Sequence, residues 1–284
     1  MTLDYFSYSS LQSYQKCPAQ FQFRYIKKIF KNDEGIEAFM GKRVHETIEY
    51  IYNQKKIGIN LSIDKIIEYH HALWENKWHG SIAIVNKNIL PVDREKNIPL
   101  WKKYAAFYFR TGEKCLTKFY SLNHPFDESV YANEYEMDFL IGNNSDYRIK
   151  GIVDRLDVDE NGSWIIHDYK TGKRPYNQKE ADQDMQLGLY QIGLEKTKKN
   201  IKDVLLVWHF LQQSKENILV YSKRSKSDLE KIIKKIVNLI DEIRLKLLKN
   251  EKFVAKKSLL CNWCYYWQEC PLQEGRNPYL PSQK

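Results

Sequence analysis

Three residues that could take part in chemistry lie close together in residues 151–173, which read GIVDRLDVDENGSWIIHDYKTGK. Asp154 lies in the first of two strand-like runs, and Asp168 and Lys170 lie in the second. Successive side chains of a strand point to opposite faces, so Asp168 and Lys170 share one face. A carboxylate and an ammonium group are therefore neighbours on the second strand.

The turn between the two runs decides whether Asp154 joins them. A two-residue turn pairs Asp154 with Tyr169 and leaves Asp168 on the opposite face, whereas a three-residue loop at Glu160–Gly162 pairs Asp154 with Asp168 directly. Both turns are chemically plausible. In the second register the two Cβ atoms lie ~4.5–5.5 Å apart. Two carboxylates that close repel each other, so this register predicts a cation between them.

Composition limits the class of protein. The chain has 284 residues, of which 43% are hydrophobic and 29% charged, as in globular proteins. Lys and Arg exceed Asp and Glu by 45 − 36 = 9, which favours a polyanionic partner such as nucleic acid, although a merely soluble basic protein has the same charge. The start of the chain lacks the pattern of a secretory signal and no run has membrane-spanning length, so we expect a cytoplasmic protein with no membrane partner. Five cysteines in so long a chain favour metal binding over a disulfide framework.

The spacing of apolar residues predicts helices first and strands later. Helical periods cover 36–51 and 101–119, and 80–99 reads as an irregular loop. Strand-like runs follow at 131–141, 147–158, 163–172, 203–212 and 217–223. A helix at 180–199 separates the third and fourth runs, and a basic helix at 226–250 follows the last. This order predicts an α/β sheet flanked by helices, with a helical N-terminal lobe.

Short motifs stand in one order along the chain: Gly41-x-x-x-His45, Gly151-x-x-Asp154, Asp168-x-Lys170 and Gln186-x-x-x-Tyr190. With the opening segment SYSSLQSYQKCPAQFQFRYI, they make the chain similar to the RecB-like branch of the PD-(D/E)xK nuclease superfamily over residues 7–271. The resemblance implies a single nuclease domain over 1–284, with a restriction-endonuclease-like central mixed sheet flanked by helices. Its expected parts are a helical lobe (33–122), a nuclease core (128–223), and a C-terminal helix and cysteine cluster segment (224–275) joined by Cys17.

The resemblance also implies a metal site. Asp154, Asp168, the backbone carbonyl of Tyr169 and His45 are the expected ligands of one divalent cation. Oxygen ligands suit Mg²⁺ or Mn²⁺, and an imidazole favours Mn²⁺. Lys170 is expected to orient the attacking water and to offset charge on the phosphate. A purely structural histidine is the alternative for His45.

Further residues are expected around this metal site. Gln186 and Tyr190 lie four apart on one helix face, so both could contact the substrate, with Gln186 also positioning a phosphate or the water. A plain packing pair is the alternative for these two. Glu134, in the strand before Asp154, is the weaker candidate, as an acid that supports the ligands from behind.

The cysteines form a second pattern. Cys17 stands far upstream of Cys261, Cys264 and Cys270, which are spaced C-x2-C-x5-C. This arrangement resembles the iron–sulfur pattern of RecB-type nucleases and their CRISPR-associated relatives, and four thiolates satisfy a [4Fe–4S] cluster. A structural Zn²⁺ site is the alternative. Cys115 falls in the apolar stripe of its helix and is expected to be buried.

These patterns predict a metal-dependent DNA nuclease, an exonuclease on single-stranded DNA or DNA ends in repair or recombination. A CRISPR-adaptation nuclease that trims new spacers is one alternative. The other alternative is an inactive DNA-binding scaffold whose chain ends are joined by the cysteine cluster, although such a module would not need Asp154, Asp168 and Lys170. The chain has no helicase motif, so the expected partners besides DNA are a helicase or recombination or CRISPR-adaptation proteins.

Overall fold

The structure is a computed structural model, which describes residues 3–85, 98–142, 147–275 and 277. Its backbone divides into two compact units. The sheet unit comprises Met1–Lys28, Glu128–Tyr169 and Arg174–Val254, and the helical unit comprises Ile29–Asp127, Lys170–Lys173 and Ala255–Lys284. Each unit is therefore assembled from segments that are far apart in the sequence.

The secondary-structure elements follow the predicted change from helix to strand. The helices are α1 (Tyr8–Lys16), α2 (Pro18–Phe21), α3 (Ile36–Lys56), α4 (Ile63–Lys77), α5 (Ile98–Asn123), α6 (Gln178–Gln183), α7 (Met185–Thr197) and α8 (Lys226–Leu248). The strands are β1 (Glu34–Gly35), β2 (Ile82–Ala83), β3 (Val130–Ile141), β4 (Tyr147–Val158), β5 (Ser163–Lys170), β6 (Asp203–Phe210) and β7 (Leu219–Ser222). Within the described ranges, no helix has the length and apolar character needed to cross a membrane.

The sheet unit is built on a five-stranded mixed sheet in the order β3-β4-β5-β6-β7. Strands β3, β4 and β5 form an antiparallel meander, and β6 and β7 form an antiparallel pair. Helices α6 and α7 connect β5 to β6, and α7 packs against β3, α1 and α8. Apolar side chains from strands and helices share one core, among them Phe139, Leu156, Leu189 and Trp208. The predicted mixed sheet flanked by helices is confirmed.

The hairpin of β4 and β5 has the longer of the two predicted loops. Arg155 pairs with His167, and Val158 pairs with Trp164, so the loop consists of the three residues Glu160–Gly162. Gly162 has a φ of 80°, in the left-handed region that the three-residue loop requires. The paired ladder ends at Arg155 and His167, so the alignment is that of the three-residue loop, and the pairing of Asp154 with Asp168 stays a prediction.

The expectation of one continuous helix over 180–199 is wrong, because the chain breaks at Asp184. This residue has an extended backbone (φ −61°, ψ 126°) and separates α6 from α7. Its carboxylate accepts a hydrogen bond from the Leu187 N–H at 2.9 Å, which caps α7. A side chain that competes with helical hydrogen bonds restarts the helix here, and Gln186 falls in its first turn.

The helical unit contains α3, α4, α5 and the short parallel pair of β1 and β2. Its core is rich in aromatic side chains, with Phe39 packed edge-on against Trp74 at 4.9 Å between ring centroids. Cys115 on α5 is 1% exposed, so its predicted burial is confirmed. Of the predicted irregular segment 80–99, residues 82–83 form β2, 98–99 begin α5, and 86–97 lie outside the described residues.

We expect Gly162→Val to lower the free energy of unfolding by about 1–3 kcal/mol. A β-branched residue is strained at this φ, and its Cβ would lie 2.7 Å from the backbone oxygen of Asn200. Because the loop sets the register of β4 and β5, the variant should also bind Mn²⁺ more weakly. Thermal unfolding and calorimetric titration with Mn²⁺ measure the two effects. Gly80→Val is the control, since a Cβ there meets no heavy atom within 4 Å; equal stability of both variants would contradict the argument.

Candidate active site

Two carboxylates meet where β3 and β4 lie side by side. An oxygen of Glu134 lies within 4.8 Å of an oxygen of Asp154. Glu134 has a φ of 44°, a left-handed conformation inside a strand, which costs an L-residue about 1–2 kcal/mol. Backbone strain and like-charge repulsion both disfavour this placement, and such features persist where they serve a site.

Strand β5 orients Asp154. The backbone N–H of Tyr169 donates a hydrogen bond to Asp154 Oδ2 at 2.6 Å. Arg155 and His167 are the last residues that pair in the ladder of β4 and β5, and this bond adds a backbone-to-side-chain contact between the two strands beyond it. A backbone donor holds the carboxylate of Asp154 in one orientation, as a metal ligand requires.

Helix α7 positions the second predicted acid. Asp168 is 4% exposed, and its Oδ1 accepts a hydrogen bond from Gln186 Nε2 at 3.1 Å. The same nitrogen lies 3.5 Å from the hydroxyl of Tyr190, one turn further along the helix. Gln186 thus links the D-x-K strand to the helix, and the residues of two predicted motifs form one hydrogen-bonded group.

The glycine of the Gly-x-x-Asp motif makes room for the tyrosine of the Gln-x-x-x-Tyr motif. A Cβ at Gly151 would lie 2.6 Å from Cε1 of Tyr190. Contacts that close do not occur for a real Cβ, so the ring of Tyr190 reaches this position only because residue 151 lacks a side chain. The two motifs therefore belong together for a steric reason.

The helical unit carries the remaining predicted residues. Lys170 ends β5, and the next residue, Thr171, lies so near α3 that a Cβ at Gly41 would be 2.9 Å from Thr171 Oγ1. His45 is partly buried one turn beyond Gly41 on the same helix. The Gly-x-x-x-His motif thus approaches the chain segment that follows the catalytic-lysine candidate. The role of His45 and of the Tyr169 carbonyl as ligands stays a prediction.

The side chains of the sheet unit fit a hard divalent cation. Glu134 and Asp154 bring carboxylate oxygens within 4.8 Å of each other, and such oxygens are the donors that Mg²⁺ and Mn²⁺ prefer. The role of Asp168 as a further ligand stays a prediction. The structure brings Glu134, the weaker candidate of the sequence, next to Asp154. Its position in a strand gives no signal of this in sequence, since the contact depends on the left-handed backbone at residue 134.

Sequence reasoning missed a buried polar network beside these acids. Arg155 Nε lies 3.1 Å from Asp157 Oδ1, and Arg155 Nη2 lies 3.0 Å from His167 Nε2. His167 also lies 3.0 Å from Asp157 Oδ2 and, through Nδ1, 2.9 Å from Nε2 of His209 on β6. Burial lowers the pKa of both histidines, which favours their neutral forms. The network joins β4, β5 and β6 at the last pair of the ladder.

The cysteines divide by exposure. Cys17, Cys261, Cys264 and Cys270 are partly exposed, whereas Cys115 is buried, and all five are free thiols. Burial raises the pKa of the Cys115 thiol to about 12, so this residue is a poor metal ligand.

Hydrogen bonds hold the cysteine segment within the helical unit. The Tyr265 hydroxyl accepts from the backbone N–H of Gly35 at 2.8 Å, and the Tyr266 hydroxyl donates to the carbonyl of Ile29 at 3.0 Å. Cys261, Cys264 and Cys270 therefore stand on a segment that is tied to the unit through its tyrosines.

We expect Gly151→Ala to lower the free energy of unfolding by about 1–3 kcal/mol, because its methyl group overlaps the ring of Tyr190. If that overlap is the cause, Tyr190→Leu should lower the free energy of unfolding by less in the Gly151→Ala background than in the wild type. Urea denaturation of the two single variants and the double variant measures the coupling. Additive effects of the two substitutions would show that the steric argument is wrong.

Comparisons with known proteins give a family match and two similar solved structures. Residues 5–271 match the family described as the PD-(D/E)XK nuclease superfamily. A solved structure from Eubacterium rectale named "Putative exonuclease" has a TM-score of 0.52 at 8% identity, and the match covers 96% of this chain and 90% of that one. The solved structure of SSO0001 has a TM-score of 0.33 at 17% identity and covers 64% of this chain and 79% of its own. No curated protein matches the chain.

The family match spans nearly the whole sequence and includes every motif around the acidic pair. The likeness to the Eubacterium rectale structure, at such low identity, shows that the fold is shared. On the match over residues 5–271, the chain belongs to the PD-(D/E)XK nuclease superfamily.

Proposed function

We propose that this protein is a metal-dependent DNA nuclease that hydrolyses phosphodiester bonds. The observation that carries the proposal is the close pair of Glu134 and Asp154, held by strained backbone beside the D-x-K strand. Nucleases of this family act on DNA and typically use Mg²⁺ or Mn²⁺. The surplus of nine positive charges suits the same substrate.

In the proposed mechanism, Asp154 and Asp168 would hold the cation, with Glu134, His45 and the Tyr169 carbonyl as further ligands. When bound, Mg²⁺ or Mn²⁺ would supply Lewis-acid chemistry, which activates water and polarises the scissile phosphate. Side chains of the protein would orient the water and the phosphate.

Lys170 follows Asp168 by two residues on β5, so its ammonium group can orient the attacking water and offset charge on the phosphate as it develops. Gln186 keeps Asp168 in place through the hydrogen bond at 3.1 Å. Tyr190 is 8% exposed, and its ring packs against Gly151. Its hydroxyl lies 3.5 Å from Nε2 of Gln186. Gln186 and Tyr190 are the proposed contacts to the substrate.

The finer activity that we propose is exonucleolytic cleavage of single-stranded DNA or of DNA ends, in repair or recombination. The name of the Eubacterium rectale protein supports exonuclease action. A helicase or recombination protein would supply the unwound strand, since the sequence carries no helicase motif.

We expect Asp168→Asn and Lys170→Ala to lower cleavage about 100- to 1,000-fold or more, because they remove a metal ligand and the group that offsets charge on the phosphate. The measurement is a time course on end-labelled linear and on circular single-stranded DNA with Mn²⁺. Cleavage of the linear strand alone supports exonuclease action. Glu136→Gln is the control, an exposed acid on β3 two residues from Glu134, and it should keep full activity. Unchanged turnover in either active-site variant would refute the assignment.

We also propose a [4Fe–4S] cluster on Cys17, Cys261, Cys264 and Cys270. The four motif thiols are partly exposed, in contrast to Cys115. Thiolate sulfur is the ligand of both iron–sulfur clusters and structural zinc, and the resemblance favours iron.

Protein purified without oxygen should be brown and contain about four irons per chain. Cys264→Ser should lose the iron and Cys115→Ser should keep it, because only the first removes a proposed ligand. Metal analysis and visible absorption spectroscopy give the answer. Stoichiometric zinc in a colourless preparation would instead establish the alternative site.

A further inference from the structure

Helix α5 of the helical unit presents a basic face with one exposed aromatic ring in it. Lys103, Phe107, Arg110 and Lys114 follow one another at helical spacings of four, three and four residues, which places them on one side of the helix. All four are exposed, and Phe107 keeps 48% of its surface accessible. We call these four residues the α5 stripe.

The α5 stripe lies near the segment that carries the catalytic-lysine candidate. The ammonium group of Lys173 lies 5.5 Å from the ring centroid of Phe107. Lys173 follows Lys170 by three residues, and three residues span at most ~11 Å of extended chain. Both lysines belong to the same unit as α5. An exposed aromatic ring and a cation thus stand together a short distance from the residue proposed to assist the reaction.

The positive charge of the α5 stripe is not offset by acids. Within the described part of the chain, Lys103, Arg110 and Lys114 form no ion pair. The acid nearest in sequence, Glu113, instead accepts a hydrogen bond from His71 at 2.6 Å. A row of unpaired cations attracts a polyanion and releases its counterions on binding.

An exposed phenylalanine distinguishes this face from an ordinary solvated lysine-rich helix. Apolar side chains of α5 that serve the core are buried, as Leu116 and Phe119 are, whereas Phe107 is left outside. Every nucleic-acid base has a flat face that stacks on an aromatic ring, and arginine and lysine beside the ring hold the phosphates. In a duplex these faces are already stacked on each other, so only an unpaired strand can use the ring.

We infer that the α5 stripe and Lys173 bind an unpaired DNA strand and lead it to Lys170, with a base stacked on Phe107. The inference rests on the proposed nuclease function and specifies its substrate as single-stranded. The phosphates lie along Lys103, Arg110 and Lys114, and the strand passes Lys173 on its way to Lys170.

Fluorescence anisotropy with labelled oligothymidylate and with a blunt duplex of the same length, in EDTA to prevent cleavage, tests the inference. Phe107→Ala should weaken binding of the single strand about 5- to 150-fold and change binding of the duplex less than about twofold, because one stacking contact is lost. Phe107→Trp should keep the affinity. Lys103→Gln and Arg110→Gln should each lower the slope of log affinity against log salt by about 0.7.

Phe30→Ala is the matched control, because Phe30 belongs to the same unit and is 86% exposed. It should bind both DNAs as the wild type does. If Phe107→Ala binds the single strand as tightly as the control, or loses duplex binding equally, the inference is wrong. Cleavage by the wild type with Mn²⁺, measured separately, tells the two hypotheses apart. If the wild type cleaves DNA and Phe107→Ala binds single-stranded DNA as the wild type does, the nuclease assignment stands and only the role of the α5 stripe is wrong. A wild type that neither binds nor cleaves DNA overturns both.

Discussion

Electrostatic repulsion between neighbouring carboxylates is the constraint on which this structure depends. Oxygens of Glu134 and Asp154 approach within 4.8 Å of each other. Two carboxylates this close lower the stability of the protein unless a cation lies between them. Two features keep these acids in place. Glu134 has a left-handed backbone, and the N–H of Tyr169 donates a hydrogen bond to Asp154.

Helix α7 is the element that connects these acids to the hydrophobic core. Its break from α6 at Asp184 puts Gln186 in the first turn, where its amide reaches Asp168. One turn later, Tyr190 rests against Gly151. The helix also packs on β3, so one rigid element contacts all three strands that carry the candidate acids. Rigid support of this kind is what a metal site requires from the residues behind its ligands.

The buried network of Arg155, Asp157, His167 and His209 removes charged and polar groups from water, which lowers stability unless their mutual contacts compensate. Replacing a buried ion pair by apolar residues often leaves a protein equally or more stable, so the network is weak evidence for stability as such. Its position gives it another use, because it fastens three strands at the level where the ladder of β4 and β5 ends. Polar contacts with fixed geometry restrict how these strands can slide, which an apolar cluster would do less well.

Much of the site could be predicted from the sequence alone, because its signals are local. The order of motifs indicated the family, alternation along 163–170 put Asp168 beside Lys170, and a glycine at position 162 allowed the three-residue loop. Only the tertiary structure placed Glu134 beside Asp154, joined His209 to His167, and set Tyr190 against Gly151. The reason is physical. Period and turn chemistry depend on neighbours in sequence, whereas these contacts depend on how distant segments pack and on a strained backbone angle that no local pattern encodes.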